Sequence, residues 1–302
     1  MLTLEQLARL AAQHEADLRA RVAEFEIDGQ LFAFNSKPAI MGVVNLSADS
    51  WYRESVCLSE GAAIERGKVL RAQGAQIIDV GAESTLAHAA RADAALQNSK
   101  LLPVVRGLRA SGILVSVETY DLEVSRACLE AGANVLNLTG TQADKRMYEL
   151  VAAHNAAVII CYVQGANVRE VGDFDFSADP MAMMRDYFAR QIDLAASAGV
   201  TRILIDPGLG FYYRNLQDSA VRVRHQMNAF LNTFRLRALG FPICHALFPI
   251  CHALPHAFEF FREEVRCAEP FFAVLAALGK TDLFRTHEVA RTRAVLDTLG
   301  AF

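Results

Sequence analysis

The chain has 302 residues, of which 53% are hydrophobic and 21% charged, with a net charge of −4. That balance excludes a disordered chain, supports a large core and gives no general reason to expect nucleic acid. No apolar run reaches the roughly 18 residues of a membrane span, and the amphipathic start, with Glu5, Glu15 and Asp17, is unlike a signal peptide.

In chain order, residues 3–22 read as a helix, with Leu4, Leu7, Ala8, Ala11 and Leu18 at helical spacing. Residues 25–32 read as a small β-hairpin around an Asp28-Gly29 turn. Apolar strand candidates then follow at 39–45, 76–80, 113–117, 134–138, 157–163, 202–206, 242–247 (or 249–254) and 282–286. Between and after them lie helical patterns near 59–73, 98–110, 121–131, 144–153, 180–198, 219–239, 258–278 and 288–299. Pairs such as Gly74-Ala75 and Ala198-Gly199 sit where helices should stop. Eight strand–helix units in about 260 residues predict an α/β chain folded as a (β/α)₈ TIM barrel. The competing doubly wound sheet lacks its Gly-x-Gly-x-x-Gly fingerprint after the first strand. The expected organisation is a helix-and-hairpin extension over 1–36 and a barrel over 37–302.

In such a barrel, chemistry sits at the C-terminal strand ends. Those tips carry Asn45 with Asp49, Asp79 with Glu83-Ser84-Thr85, Glu118 with Thr119, Asn137, Gln164, Asp206 with Gly208 and Gly210, and Arg285 with His287. Each alone could cap a helix or serve a turn. Polar tips on nearly every unit point instead to one shared mouth.

The tips also carry motifs. Met41-Gly42-Val43-Val44-Asn45-Leu46-Ser47-Ala48-Asp49-Ser50, Ile77-Ile78-Asp79-Val80-Gly81-Ala82-Glu83-Ser84-Thr85, Val115-Ser116-Val117-Glu118-Thr119-Tyr120, Ile205-Asp206-Pro207-Gly208-Leu209-Gly210-Phe211 and Phe284-Arg285-Thr286-His287 occur in this order. In sequence and spacing they resemble the pterin-binding family typified by dihydropteroate synthase, over roughly residues 38–299. The resemblance implies a transferase of folate biosynthesis, in which the amine of p-aminobenzoate displaces diphosphate from a dihydropterin methyl diphosphate. It implies Mg²⁺, which binds through substrate phosphates, with Asn45 at the metal and the diphosphate. Arg285 and His287 would be anion partners. Asp206 and Asn137 would bind the polar edge of the pterin, and Glu118 stands where the family has an aspartate serving that ring. Asp49, Thr85, Gln164, Gly210 and Phe211 are further substrate-binding candidates on the matching tips. Family members are commonly homodimers, and the seventh and eighth helical regions are apolar enough for that.

The chain also departs from the family. The arginine expected after Thr85 is replaced by Leu86, and the strand-seven lysine has no counterpart, because no lysine occurs between Lys145 and Lys280. His256, in the lysine's place, is the candidate substitute. Phe241-Pro242-Ile243-Cys244-His245-Ala246-Leu247 is repeated at once over 248–254. Adjacent Cys-His on a strand faces opposite ways, and the spacing fits no common zinc pattern, so a local duplication is the better account. Six scattered cysteines read as reduced thiols, and a soluble cytoplasmic protein is the expectation. The expected partners are a pterin diphosphate and an arylamine, with no nucleic acid or membrane. Alternatives are a related pterin transferase using another arylamine in a methanopterin-like pathway, or a non-catalytic paralogue that binds pterin or phosphate ligands.

Overall fold

A computed structural model describes residues 2–50, 52–84, 91–140, 145–165, 167, 170–173, 175, 179–209, 215, 218–247 and 262–301. The chain begins with helices α1 (Leu4–Gln13) and α2 (Glu15–Arg19) and the hairpin β1 (Phe25–Ile27) and β2 (Gln30–Phe32). Thr3 and Gln6 cap α1 reciprocally. The single helix expected over 3–22 breaks at His14 (φ −129°), whose ring meets Phe234 edge-on at 6.2 Å. Asp28 and Gly29 both adopt positive φ, as the tight hairpin turn requires.

Strands and helices then alternate: β3 (Ala39–Asn45), α3 (Glu60–Ala72), β4 (Ile77–Gly81), α4 (Ala94–Ala110), β5 (Leu114–Thr119), α5 (Leu122–Glu130), β6 (Val135–Leu138), α6 (Lys145–Ala153), β7 (Ala157–Cys161), α7 (Pro180–Ser197), β8 (Ile203–Asp206), α8 (Ser219–Asn232), β9 (Cys244–Ala246), α9 (Arg262–Leu278), β10 (Leu283–Thr286) and α10 (Val289–Leu299). The eight strands from β3 to β10 form one parallel sheet in the order β8-β7-β6-β5-β4-β3-β10-β9. Its two ends meet through an Ile205–Ile243 bridge, with Ile205 N donating to Pro242 O at 3.0 Å, so the sheet curls into a nearly closed barrel. The helix expected over 219–239 tightens into a 3₁₀ turn at Thr233–Leu239, where the Thr233 hydroxyl bonds back to Ala229 O at 2.7 Å. Strand seven comes from the first Phe-Pro-Ile-Cys-His-Ala-Leu copy; the second lies outside the described residues.

Alternation along each strand sorts the barrel into layers. Ile40, Ile78, Val115, Leu136, Val158, Ile205 and Phe284 face the surrounding helices. Met41, Ile77, Leu114, Val135, Ala157, Leu204, Cys244 and Leu283 fill the barrel's lower interior, where Val22, Ile27, Phe32 and Phe34 of the N-terminal segment join them. That segment is tied below the barrel by Arg237. Its guanidinium donates to Ala20 O at 3.2 Å and Asn35 Oδ1 at 3.2 Å and pairs with buried Asp282. The hydrophobic plug makes the next inward residues, two positions further along each strand, the floor of an upward-facing site. No helix among the described residues is long and apolar enough to cross a membrane.

Candidate active site

Two residues beyond the plug, five of the eight inward positions turn polar. Ile77 is followed by Asp79 and Leu114 by Ser116, Val135 by Asn137, Leu204 by Asp206 and Leu283 by Arg285. Asp79 is the hub. Its carboxylate is wholly buried and accepts from Ser116 Oγ at 2.6 Å, Asn137 Nδ2 at 3.2 Å and Arg285 Nε at 2.7 Å. On its other side Arg285 donates to Glu118, which stands one inward step above Ser116 on β5. Burial pulls the guanidinium's pKa down, but the Glu118 and Asp79 carboxylates outweigh it and hold the arginine above its ordinary value. Burial pushes the Glu118 carboxyl up, aided by Asp79 and Glu83 and opposed by Arg285.

Asp206 ends β8, and Gly208 N donates to its Oδ1 at 2.8 Å. Gly208 takes φ +71°, which suits glycine in this Asp-Pro-Gly turn. Burial raises the Asp206 pKa to about 6, and the Glu118 and Asp79 charges add to the rise. Nearby, Cys161 and Cys244 are buried thiols held protonated, first by burial and then by the Asp206 charge. His245, adjacent to Cys244, points outward to Thr233 Oγ1 at 2.5 Å, so the two side chains face opposite ways as the strand pattern requires.

A second cluster joins the tips of β3 and β10. Asn45 Nδ2 donates to Ser55 Oγ at 2.5 Å and to His287 Nε2 at 3.2 Å. Burial first, then the charges of Arg285 and Arg66, hold His287 well below its ordinary pKa, so its neutral ring can accept from Asn45. Tyr52, in the loop after β3, stacks on His287 at 4.6 Å and donates to the Glu288 carboxylate. The Ser55 hydroxyl donates back to Tyr52 O at 2.8 Å, closing the loop on itself.

The structure therefore brings six expected residues, Asn45, Glu118, Asn137, Asp206, Arg285 and His287, to the barrel mouth. Asp49 is exposed in the turn after β3. Gln164 sits on the rim, its side chain held between Tyr162 Oη at 2.8 Å and Asp175 N at 3.0 Å. Thr85, Gly210, Phe211 and His256 lie outside the described residues. Asp79 appears in the sequence as a tip residue, but its role as hub shows only in the fold. Counting two from Ile77 along the inward face was the signal for it. Ser116 was readable the same way, whereas Tyr52 and Ser55 reach the site through a loop whose path no periodicity encodes.

The sequence matches the family described as pterin binding enzyme over residues 41–246. The dihydropteroate synthase of Mycobacterium leprae (strain TN) is 35% identical over 175 residues, 57% of this chain and 62% of that protein. That of Streptococcus pyogenes serotype M6 is 31% identical over 216 residues, covering 70% of this chain and 75% of the relative. The chain thus aligns with less than two thirds of the first relative's length and about three quarters of the second's. Among solved structures, Xanthomonas albilineans dihydropteroate synthase with 4-aminobenzoic acid superposes with a TM-score of 0.76 at 26% identity, over 92% of this chain and 97% of that one. The same enzyme in complex with 7,8-dihydropteroate gives 0.73 at 25% identity, over 92% and 98%. With its barrel, its polar mouth and a family match across most of its length, the chain belongs to the pterin-binding enzyme family, within the dihydropteroate synthase group.

Proposed function

We propose that this protein is a dihydropteroate synthase, joining a dihydropterin methyl diphosphate to p-aminobenzoate with release of diphosphate. The observation that carries the reading is the polar layer of Asp79, Glu118, Asn137, Asp206 and Arg285 seated on the hydrophobic plug, beside Asn45 and His287. The heterocycle is met by acceptors and one amide, Asp206, Asn137 and Glu118, which suit a ring edge rich in N–H groups. Asp206, with its raised pKa, hydrogen-bonds such an edge at little desolvation cost. The diphosphate is met by Arg285, a permanent cation fixed by Asp79, beside the linked pair of Asn45 and His287. Departure of diphosphate leaves positive character on the methylene carbon, and the carboxylates of the layer stabilise it.

Asn45 suits a magnesium ion. Both contacts of its amide run through Nδ2, which leaves the Oδ1 oxygen, a hard ligand, to the mouth. A magnesium ion shared by Asn45 and the diphosphate would neutralise charge on the leaving group. The other substrate-binding candidates, Asp49, Thr85, Gln164, Gly210, Phe211 and His256, belong to the loops around this mouth in the same reading. A cytoplasmic homodimer remains part of the proposal, as does the division at residues 36 and 37. The names and bound ligands of the relatives favour the synthase over another arylamine acceptor or a non-catalytic binder.

The test is turnover with Mg²⁺, dihydropterin methyl diphosphate and p-aminobenzoate, following diphosphate and the coupled product. Stoichiometric formation of both is the expected result. Diphosphate release without dihydropteroate would move the reading to another acceptor, and binding without release would remove the transferase.

A further inference from the structure

Two carboxylates face Arg285, and they differ in what an arriving anion would meet. Asp79 is wholly buried and accepts from three donors, so it is a fixed anchor. The Glu118 side chain is 13% exposed, and Arg285 is its one hydrogen-bond partner among the described residues. It lies beside Gly81, where an added Cβ would stand 3.5 Å from Glu118 Oε2, an ordinary contact distance. Arg285 is itself 16% exposed, so a ligand anion and Glu118 draw on the same accessible guanidinium.

We propose that Glu118 is an internal competitor for Arg285, whose carboxylate holds the guanidinium until the diphosphate of the substrate displaces it, and that this residue thereby sets the affinity for that anion. The proposal rests on the synthase reading for the nature of the ligand. A diphosphate approaching Arg285 meets a cation already paired twice, and the second carboxylate repels it in a partly desolvated site. An aspartate at this position would stop about 1.5 Å short, one C–C bond, and leave the guanidinium to the ligand. Asp79 does the reverse work: it holds the arginine where the anion needs it.

Calorimetric titration of the wild type, Glu118→Asp, Glu118→Gln and Asp79→Ala with inorganic diphosphate separates these roles. Glu118→Gln should bind about tenfold tighter, the effect of removing a like charge near the anion. Glu118→Asp, which keeps the charge but draws it back by one C–C bond, should bind tighter by a smaller factor. Asp79→Ala, which frees Arg285 from its anchor, should bind more weakly. In turnover, Glu118→Asp should lower the KM for the pterin diphosphate, whereas a merely structural Glu118 would raise KM and lower kcat. Unchanged or weaker binding in both Glu118 variants, with the wild type binding measurably, overturns the competition and leaves the synthase reading standing. No binding of diphosphate by any of the four proteins overturns the competition together with the anion role of Arg285.

Discussion

Asp79 gives the sharpest test of how the site is built. Asp79→Ala removes the acceptor of three donors at once, one of them a guanidinium. Removing one partner of a buried ion pair costs about 3–5 kcal/mol. Arg285 keeps Glu118 and is 16% exposed, so the lower end applies, about 3 kcal/mol. Asp79→Asn is different. Its amide oxygen can still accept from Asn137 and Arg285 while its NH₂ turns to Ser116, whose hydroxyl rotates to accept. Only the charge is lost, worth about 1 kcal/mol. For a chain of this size each kcal/mol moves the melting temperature by about 2 °C, so the alanine variant should melt about 6 °C low and the asparagine variant about 2 °C low. Scanning calorimetry checks the order, and diphosphate release reports whether Arg285 remains in place. Equal melting temperatures for the two variants, or an alanine variant with wild-type turnover, would refute Asp79 as the hub.

Two further predictions concern other layers. Arg237→Met leaves Asp282 buried without its cation and should destabilise by about 3–5 kcal/mol near neutral pH. Burial raises the Asp282 pKa to about 6 even with Arg237 beside it. A raised carboxyl contributes stability at low pH that is lost as pH rises through the folded value, so the deficit should shrink between about pH 7.5 and about pH 5.5. Equal urea midpoint shifts at the two pH values would contradict this. At the mouth, Tyr52→Phe keeps the stack on His287 and loses the bond to Glu288, whereas Tyr52→Ala loses both. Steady-state kinetics should show the phenylalanine variant near wild type and the alanine variant with a KM for the pterin diphosphate raised about five- to tenfold, the worth of a stacking contact of about 1–1.5 kcal/mol that positions the imidazole. Equal damage from both would assign the effect to the hydroxyl.

Much of this architecture was legible because it depends on period. Strands such as Ile77–Gly81 and Leu114–Thr119 are bounded by glycine stops and read as buried runs. The residues at their ends fall on the inward face by counting in twos. The limits are equally physical. Whether a helix continues past Thr233 depends on a hydroxyl bonding backward to Ala229, and the break at His14 depends on a ring meeting Phe234 from across the fold. Tyr52 and Ser55 close over His287 through loop geometry that single-sequence patterns do not specify. The charge partners of Arg285 are set across the barrel, on β4 and β5, and no spacing along the chain announces them.

Two departures from the family pattern, the lost lysine and the glutamate at position 118, are best understood as one. A carboxylate facing a partly desolvated mouth needs a cation, because an unpaired buried charge costs several kcal/mol. With no lysine between Lys145 and Lys280, the strand-seven lysine of the family is missing, and among the described residues Arg285 is the cation that the barrel's inward faces supply at this level. An aspartate on β5 would end about 1.5 Å further from it, whereas the glutamate, longer by one methylene, hydrogen-bonds it. The longer side chain thus stabilises the mouth after the loss of the lysine, and in doing so draws on the anion-binding arginine. If the two changes are coupled in this way, Glu118→Asp alone should destabilise the fold while tightening diphosphate. Restoring a lysine near the mouth should remove the first effect and keep the second.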